Sequence, residues 1–136
     1  MGNSRKFLLD THIYIWWMMQ DRRLTREVVT ILANSENEIL LSTATVWEMV
    51  IKKRIGKLKV PRSWKKDLRE SNFSVLSISL NHVLALENLP LIHRDPFDRL
   101  LIAQATHEKA TLISLDPIFS KYKVKIFGSP TRVQPS

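Results

Sequence analysis

Short apolar runs of strand length alternate along this chain with stretches in which apolar residues recur at helical spacing. Continuous runs predict strands, and apolar positions three or four residues apart predict helices with one buried face. The predicted strands are 6–9, 38–41, 73–78, 111–114 and 124–127. The predicted helices are 12–19, 25–33, 43–54, 62–70, 80–89 and 96–109, with a short helical turn after Pro117.

Strands that are separated by helices predict an α/β fold, in which helices cover both faces of a mainly parallel sheet. The length of 136 residues predicts one domain, with an ordered core over about 6–127 and a loose tail at 128–136. The chain has no cysteine, which excludes disulfides and thiolate metal sites. The apolar run at 13–19 is too short to span a membrane, so we expect a soluble, cytoplasmic protein.

The positive charge of the chain is confined to one segment. The formal net charge is +8, and residues 52–69 contain nine bases and one acid, so the rest of the chain is neutral. A localised basic stripe is typical of a protein that binds a phosphate backbone. A solvated helix face that aids solubility produces the same pattern, and both interpretations remain open.

Acidic residues follow the apolar runs at three places. Asp10 comes directly after the first predicted strand, Asp116 follows the fourth, and Asp95 comes after the apolar pair at 91–92. Open parallel sheets bind ligands at the carboxyl ends of their strands, near a switch in strand order. We therefore expect Asp10 and Asp116 to lie close together although they are far apart in the sequence.

Each of these acids also has a structural alternative as a helix cap. Asp10 and Asp116 are each followed by a predicted helical segment that their side chains can cap. For Asp95 capping is the preferred interpretation, because Pro96 suits the first position of a helix. Asp98 would then lie in the first turn, where an acid interacts favourably with the helix dipole.

Glu48 has no such alternative, because it lies in the middle of its predicted helix. Counted by threes and fours, it shares with Ala44, Ile51 and Ile55 a stripe that should face the core. A buried carboxylate needs a cation or another strong partner. A salt bridge to Arg94 or Arg99 and a metal ion shared with the other acids both meet this need.

Convergent carboxylates suit hard divalent ions such as Mg²⁺ and Mn²⁺, which can polarise a phosphodiester and activate a water. A glycine-rich phosphate loop and a serine nucleophile elbow are both absent from the sequence. The histidines lack zinc-type spacing, although His12 is placed to face the site from the first turn after Asp10.

The tryptophans are candidates for stacking on nucleic-acid bases. Trp64, inside the basic segment, is the best such candidate. The other three lie in apolar helical stretches and are expected to pack in the core or an interface. The run from Trp16 to Met19 is unusually apolar, which predicts a subunit or partner interface there.

Four segments of the chain resemble the motifs of PIN domains, and more narrowly those of VapC-type toxins from toxin–antitoxin modules. They occur in the family's order and span Phe7 to about Phe127, and the stretch that begins at Asp95 is the most specific. The segments are Leu8-Leu9-Asp10-Thr11-His12, Val46-Trp47-Glu48-Met49, HRDPFDRLLIAQA at 93–105, and Leu112-Ile113-Ser114-Leu115-Asp116.

The resemblance implies a three-layer α/β/α PIN-like fold, an acidic pocket and endoribonuclease activity that depends on Mg²⁺ or Mn²⁺. It also implies a homodimer and a cognate antitoxin, a segment of which occupies the groove. Leu115 stands where many relatives have a polar residue, which leaves that contact open. The family acids correspond by position to Asp10, Glu48, Asp98 and Asp116.

These expectations combine into one hypothesis, an endoribonuclease toxin in which Asp10 and Asp98 hold the principal ion. Glu48 and Asp116 complete the site or bind a second ion. RNA phosphates are expected to contact the basic segment at Lys52, Lys53, Arg54 and Lys57.

Three other functions remain open. The first is a nucleic-acid-binding module with an inactive PIN-like site. The second is a receiver-like phosphoryl-transfer domain, which would need two acids near the first strand and a late lysine. The third is an interaction protein whose basic segment binds an acidic partner.

Overall fold

The computed structural model describes residues 5–128, in which strands and helices follow one another as the hydrophobic pattern predicts. The strands are β1 (Lys6–Leu9), β2 (Glu38–Ser42), β3 (Ser74–Leu76), β4 (Thr111–Ile113) and β5 (Ile126–Phe127). The helices are α1 (Thr11–Met19), α2 (Arg26–Ala33), α3 (Thr43–Arg54), α4 (Trp64–Glu70), α5 (Leu80–Ala85) and α6 (Pro96–Glu108). Short 3-10 helices form at Leu86–Asn88 and Pro117–Lys121. The tail predicted as loose lies, from residue 129 on, outside the described residues.

The five strands form one parallel sheet in the order β3-β2-β1-β4-β5. Phe7 on β1 is in register with Ile39 on β2 on one side and with Thr111 on β4 on the other. The chain therefore builds outward from β1 in both directions, and the strand order switches between β1 and β4. Ligands of open α/β sheets bind outside the carboxyl ends of the strands at such a point.

The two faces of the sheet are covered by separate hydrophobic cores. Phe7 and Leu9 pack on one side with Ile13 of α1, whereas Leu8 packs on the other side with Leu101 of α6. Successive side chains of a strand point to opposite faces, so β1 contributes to both cores. This arrangement confirms the predicted three-layer α/β/α architecture with a parallel sheet.

Several boundaries differ from the predicted ones. Helix α4 begins at Trp64 rather than near residue 62, because Pro61 starts a turn in which its carbonyl accepts a hydrogen bond from the Trp64 N–H. Strand β3 is an edge strand that pairs with β2 over only three residues. The apolar pair at 91–92 is a turn and not the end of a strand, and Leu91 is 85% exposed. Along residues 5–128, no helix has the length and apolarity needed to cross a membrane.

Candidate active site

Asp10 lies at the carboxyl end of β1 and is 3% exposed. Its N–H donates to the carbonyl of Ile113, so the parallel ladder with β4 continues to this residue. Its side chain makes no capping bond to α1, and its Oδ2 instead accepts a hydrogen bond of 2.8 Å from Ser114 Oγ. The capping alternative is therefore wrong for Asp10. Ser114 supplies a polar contact to the site that the apolar Leu115 cannot make.

Glu48 projects from α3 into the interior and is 4% exposed. Its Oε1 accepts a hydrogen bond of 2.8 Å from Thr11 Oγ1, and its Oε2 lies 2.8 Å from Lys52 Nζ. The prediction that Arg94 or Arg99 forms a salt bridge with Glu48 is therefore wrong. Lys52, one turn further along the same helix, takes that place.

The position of Arg99 explains why it does not reach Glu48. Its guanidinium donates to the carbonyls of Pro90 at 2.7 Å and Leu89 at 3.2 Å, which secures the loop before α6. The predicted core stripe on α3 is correct only in its first half. Ala44 is buried like Glu48, whereas Ile51 and Ile55 are exposed.

Asp98 lies in the first turn of α6, beside two residues that order it. Asp95 caps the helix as predicted, because its Oδ1 accepts from the N–H groups of Phe97 and Asp98. His93 Nε2 lies 2.7 Å from Asp98 Oδ2. Sequence reasoning missed His93, and the available signal was its position two residues before the Asp95-Pro96 helix start.

Asp116 lies at the exposed rim of the site. Its Oδ1 accepts from the Ile118 N–H at 3.0 Å, so it does cap the following 3-10 helix. Its own N–H donates to Ser114 Oγ at 3.0 Å. Since the same hydroxyl donates to Asp10, Ser114 connects the two acids that follow β1 and β4.

The carboxylates influence one another electrostatically. Burial raises the pKa of Asp10 to about 7, and the negative charges of Asp116 and Glu48 add to this effect against the opposing bond from Ser114. Burial also raises the pKa of Asp98, and the charge of Asp10 is the next largest cause. The charges of Asp116 and Glu48 act on Asp10, and those of Asp10 and Glu48 act on Asp98, so the four acids predicted from the sequence lie near enough to influence one another.

The donor set of this pocket fits a hard divalent ion. Its members are carboxylates, Asp10 and Glu48 among them are buried, and the repulsion between them is relieved by a cation. Each acid is oriented by a hydrogen-bond donor of the protein. Within residues 5–128, no three of these four acids have ligand atoms that all lie within 4.8 Å of one another. His93, Asp95 and Asp98 do offer ligand atoms within that distance.

A second group of possible ligands, His82, His107 and Glu108, has a structural role. His82 Nδ1 accepts from the Ser79 N–H at 2.9 Å, which places its proton on Nε2, 3.0 Å from Glu108 Oε2. Metal binding at Nε2 would require this proton to leave. The group therefore joins α5 to α6 and is not part of the site.

Three of the four cations predicted to contact RNA lie on α3, on different faces of the helix. Lys52 faces the acids, whereas Lys53 and Arg54 line a separate cavity of about 600 Å³ with Arg62 and Lys65. An α-helix turns about 100° per residue, so residues five and six positions beyond Glu48 point away from it. The fourth, at position 57, is exposed beyond the end of the helix.

Trp64 is 6% exposed and belongs to the hydrophobic core, so its prediction as a base-stacking residue is wrong. Trp16, Trp17 and Met18 are half-buried against the same core, and only Met19 of that run is exposed. Three of the four residues therefore pack against the core of this chain, and the interface at this run stays a prediction.

A small cavity adjoins the acids on the α1 side. It has a volume of about 260 Å³ and is lined by Asp10, His12, Trp16, Arg23, Leu115 and Asp116. His12 faces the site, as its position after Asp10 predicts. Arg23 was not predicted from the sequence, because its approach depends on the turn between α1 and α2.

Comparison with known proteins supports this arrangement at the level of the fold. No curated protein is significantly similar to this chain in sequence. VapBC2 from Rickettsia felis, solved with a DNA fragment from its promoter, is 18% identical with a TM-score of 0.69, over 89% of this chain and 96% of that chain. FitAcB from Neisseria gonorrhoeae is 19% identical with a TM-score of 0.63, over 93% and 99%. VapBC-1 from nontypeable Haemophilus influenzae is 19% identical with a TM-score of 0.60, over 89% and 96%.

A family comparison covers most of the sequence. The PIN domain description matches residues 7–125, from β1 to the residue before β5. The matched region contains the strand ends and helices that carry the acids. The chain therefore belongs to the PIN domain family.

Proposed function

We propose that this protein is an endoribonuclease dependent on Mg²⁺ or Mn²⁺, and that it is the cytoplasmic toxin of a toxin–antitoxin pair. The observation that carries the proposal is the pair of buried carboxylates Asp10 and Glu48 and the partly buried Asp98 beside the strand-order switch of a PIN domain, with Asp116 at the rim. The similar solved structures include VapBC and FitAB complexes and a toxin–antitoxin complex from Klebsiella pneumoniae. These likenesses support the toxin assignment.

In this proposal Asp10 and Asp98 hold the principal ion, and Glu48 and Asp116 complete its surroundings or those of a second ion. When bound, the ion polarises the scissile phosphodiester and lowers the pKa of the attacking water. The protein contributes fixed orientation of its carboxylates. Ser114 holds Asp10 and His93 holds Asp98, so little reorganisation is needed during the reaction. A carboxylate that is not engaged by the ion accepts the proton of the water.

The direct test replaces single acids without changing their shape. We expect Asp10→Asn and Asp98→Asn each to lower RNA cleavage in Mn²⁺ by about a hundredfold or more. Glu36→Gln, in an exposed loop, serves as the control and should keep wild-type activity. Thermal denaturation reports whether each variant is folded.

Full activity of either aspartate variant, or of the wild type in excess EDTA, would contradict the metal mechanism. RNA binding without cleavage by the wild type in Mn²⁺ would instead favour a binding module with an inactive site.

The basic cavity is proposed to bind RNA phosphates away from the acids. Lys53, Arg54, Arg62 and Lys65 line it. None of the four forms a salt bridge in the described part of the chain, so their charges are available to an anion. Lys57 remains a further proposed contact. Lys52 is assigned to Glu48 instead.

Two exposed apolar surfaces are proposed to bind protein partners. On α3, the patch of Trp47, Val50, Ile51 and Ile55 adjoins the acids, since Trp47 contacts Phe97 next to Asp98 with ring centroids 5.0 Å apart. We assign this patch to a segment of the antitoxin. A second patch, on α5, is assigned to a second copy of the chain in a homodimer; it consists of Leu80, Val83 and Leu84.

A further inference from the structure

The cavity on the α1 side of the acids contains groups that the proposed chemistry does not use. Asp10 and Asp116 form its floor, whereas His12, Trp16 and Arg23 supply an imidazole, an indole and a guanidinium. A metal site needs none of these three. Cations and aromatic rings beside a phosphodiester-cleaving centre are the groups that hold a nucleotide.

Arg23 is held in one orientation by two neighbours. Its Nε and Nη2 donate to the carboxylate of Asp21 at 3.0 and 2.7 Å, and its guanidinium lies 4.8 Å from the centroid of the Trp16 ring. These bonds lower the pKa of Asp21 to about 2, so its carboxylate is ionised at neutral pH and can pair with Arg23. Asp21 accepts hydrogen bonds only from Nε and Nη2, so Nη1 can donate to a ligand. The contacts with Asp21 and Trp16 orient the guanidinium before a ligand binds.

His12 completes the wall of the cavity. It is exposed on the first turn of α1, and its ring centroid lies 5.9 Å from that of Trp16 with the planes tilted by 40°. Histidine rings and guanidinium planes both serve as surfaces on which RNA bases stack. The cavity volume of about 260 Å³ accommodates a single unit of a chain, not a folded partner.

We propose that this cavity binds the nucleotide next to the scissile phosphate, with Arg23 contacting its phosphate and His12 stacking on its base. The proposal rests on the proposed ribonuclease function and adds a binding subsite to it. The presence of a ring beside the guanidinium favours RNA over an acidic peptide as the occupant. A nucleotide has a flat base for His12 and a phosphate for Arg23, whereas an acidic side chain satisfies only the arginine.

The test compares two adjacent arginines that carry the same charge. Arg22 is exposed and does not line the cavity, so Arg22→Gln controls for the removal of one positive charge. We expect Arg23→Gln to raise KM for an RNA oligonucleotide in Mn²⁺ roughly tenfold, as expected when one charged hydrogen bond is removed, with kcat within about twofold. Arg22→Gln should change KM less than about twofold. Arg23→Lys keeps the charge but not the two parallel N–H donors of the guanidinium, so its KM should lie between those of Arg22→Gln and Arg23→Gln.

The role of His12 is tested by removing and restoring its ring. His12→Ala should weaken RNA binding by roughly fivefold or more, measured by fluorescence anisotropy in Ca²⁺ with an Asp98→Asn background, and His12→Phe should restore most of it. Restoration by phenylalanine separates stacking from hydrogen bonding.

The outcomes separate the subsite from the wider function. Equal KM values for Arg23→Gln and Arg22→Gln in an enzyme that cleaves RNA would overturn the subsite and leave the ribonuclease intact. A His12→Phe variant as weak as His12→Ala would overturn the stacking role. A wild-type protein that neither binds nor cleaves RNA in Mn²⁺ would overturn both proposals.

Discussion

Single residues around the pocket determine how its carboxylates are arranged. Two hydroxyl groups, on Thr11 and Ser114, each donate to one buried acid, and Lys52 places an ammonium against Glu48. A buried carboxylate without such partners is costly, so these neighbours stabilise the pocket as well as orient it. The consequence is that several side chains outside the acid set should affect stability and metal binding.

Replacing Lys52 by methionine tests its role as a counter-ion. The variant should be less stable by about 1 kcal/mol without metal, because Glu48 stays buried without its cation while the 38% exposure of Lys52 lets water screen the pair. Added Mn²⁺ should raise the Tm of Lys52→Met more than that of the wild type, since the ion replaces the missing charge.

Lys57→Met, which replaces an exposed lysine from the same segment, is the control for this experiment. Thermal and urea denaturation with and without Mn²⁺ provide the measurement. Equal stability of the two variants in EDTA would show that Lys52 does not support Glu48.

The raised pKa of Asp10 predicts how stability depends on pH in the absence of metal. The unfolded carboxyl titrates near 3.8 and the folded one near 7, so the folded state binds more protons between these values. Stability should therefore fall as the pH rises from about 4 to about 7 and level off above that. Urea denaturation at a series of pH values in EDTA measures this slope.

Asp10→Asn should make the slope shallower without abolishing it, since the amide does not titrate but the raised pKa of Asp98 still contributes. The affinity for Mn²⁺ should change in the opposite direction and rise with pH through about 7, because the ligands must lose their protons. A wild-type stability that rises over the same range in EDTA would contradict the assignment.

At the scale of elements, the sequence correctly predicts those strands and helix starts that depend on residues close to one another in the chain. The central strands and the capping residue Asp95 agree with their predicted positions, because apolar runs and capping side chains act within a few residues. The acids at the strand ends are predictable because parallel strands share an edge. The start of α4 and the two ends of β3 are not predictable in this way. The first depends on the turn at Pro61 and the second on the pairing of an edge strand, and both are determined by what packs beside them.

The partners within the site are the least predictable part. Whether Lys52 or Arg99 reaches Glu48 depends on rotamers and on the loop before α6, which supplies the carbonyls that bind Arg99. The exposure of Ile51 and Ile55 is not predictable either, since helical periodicity identifies a stripe but not the length over which it is covered.

The basic face formed by α3 and α4 should determine how RNA affinity depends on salt. The logarithm of the RNA-binding constant falls linearly with the logarithm of the salt concentration. Each phosphate that the protein no longer neutralises should reduce the steepness of this fall by about 0.7 to 0.9. Neutralising Lys53 and Arg54 together should therefore reduce the slope by roughly 1.5. Fluorescence anisotropy with a short RNA over a range of KCl concentrations measures it.

Lys123→Gln with Lys125→Gln removes the same charge from a different cavity and should leave the slope nearly unchanged. Slopes that decrease equally in the two double variants would indicate a general charge effect and not a binding face.

At the scale of the whole molecule, the surfaces proposed for the metal ion, for RNA and for a second copy of the chain lie on different parts of the fold. The acids lie beyond the carboxyl ends of β1 and β4, the basic cavity lies on the α3–α4 side, and the α5 patch is on another element. A second copy of the chain on α5 would therefore leave the basic cavity free, whereas the α3 patch proposed for the antitoxin shares Val50 with that cavity.

Replacing Leu84 by glutamate tests the proposed homodimer. Leu80, Val83 and Leu84 are spaced three and four residues apart, so they share one face of α5, and they are 71%, 46% and 56% exposed. We expect the wild type to be a dimer in sedimentation equilibrium at micromolar concentrations and Leu84→Glu to be a monomer, since a charge buried in the interface is costly.

Val29→Glu, which places the same charge on the exposed side of α2, should remain dimeric. A wild type that is monomeric at every concentration would contradict the homodimer.

The bond from Ser114 to Asp10 joins residues 104 positions apart. Loops of that length close slowly compared with the local contacts of helices. On a ribosome, β1 and its acid emerge long before β4 is made, so the pocket cannot assemble on a partly synthesised chain. The proposed nuclease site therefore depends on a contact that forms only after the chain has been synthesised through β4.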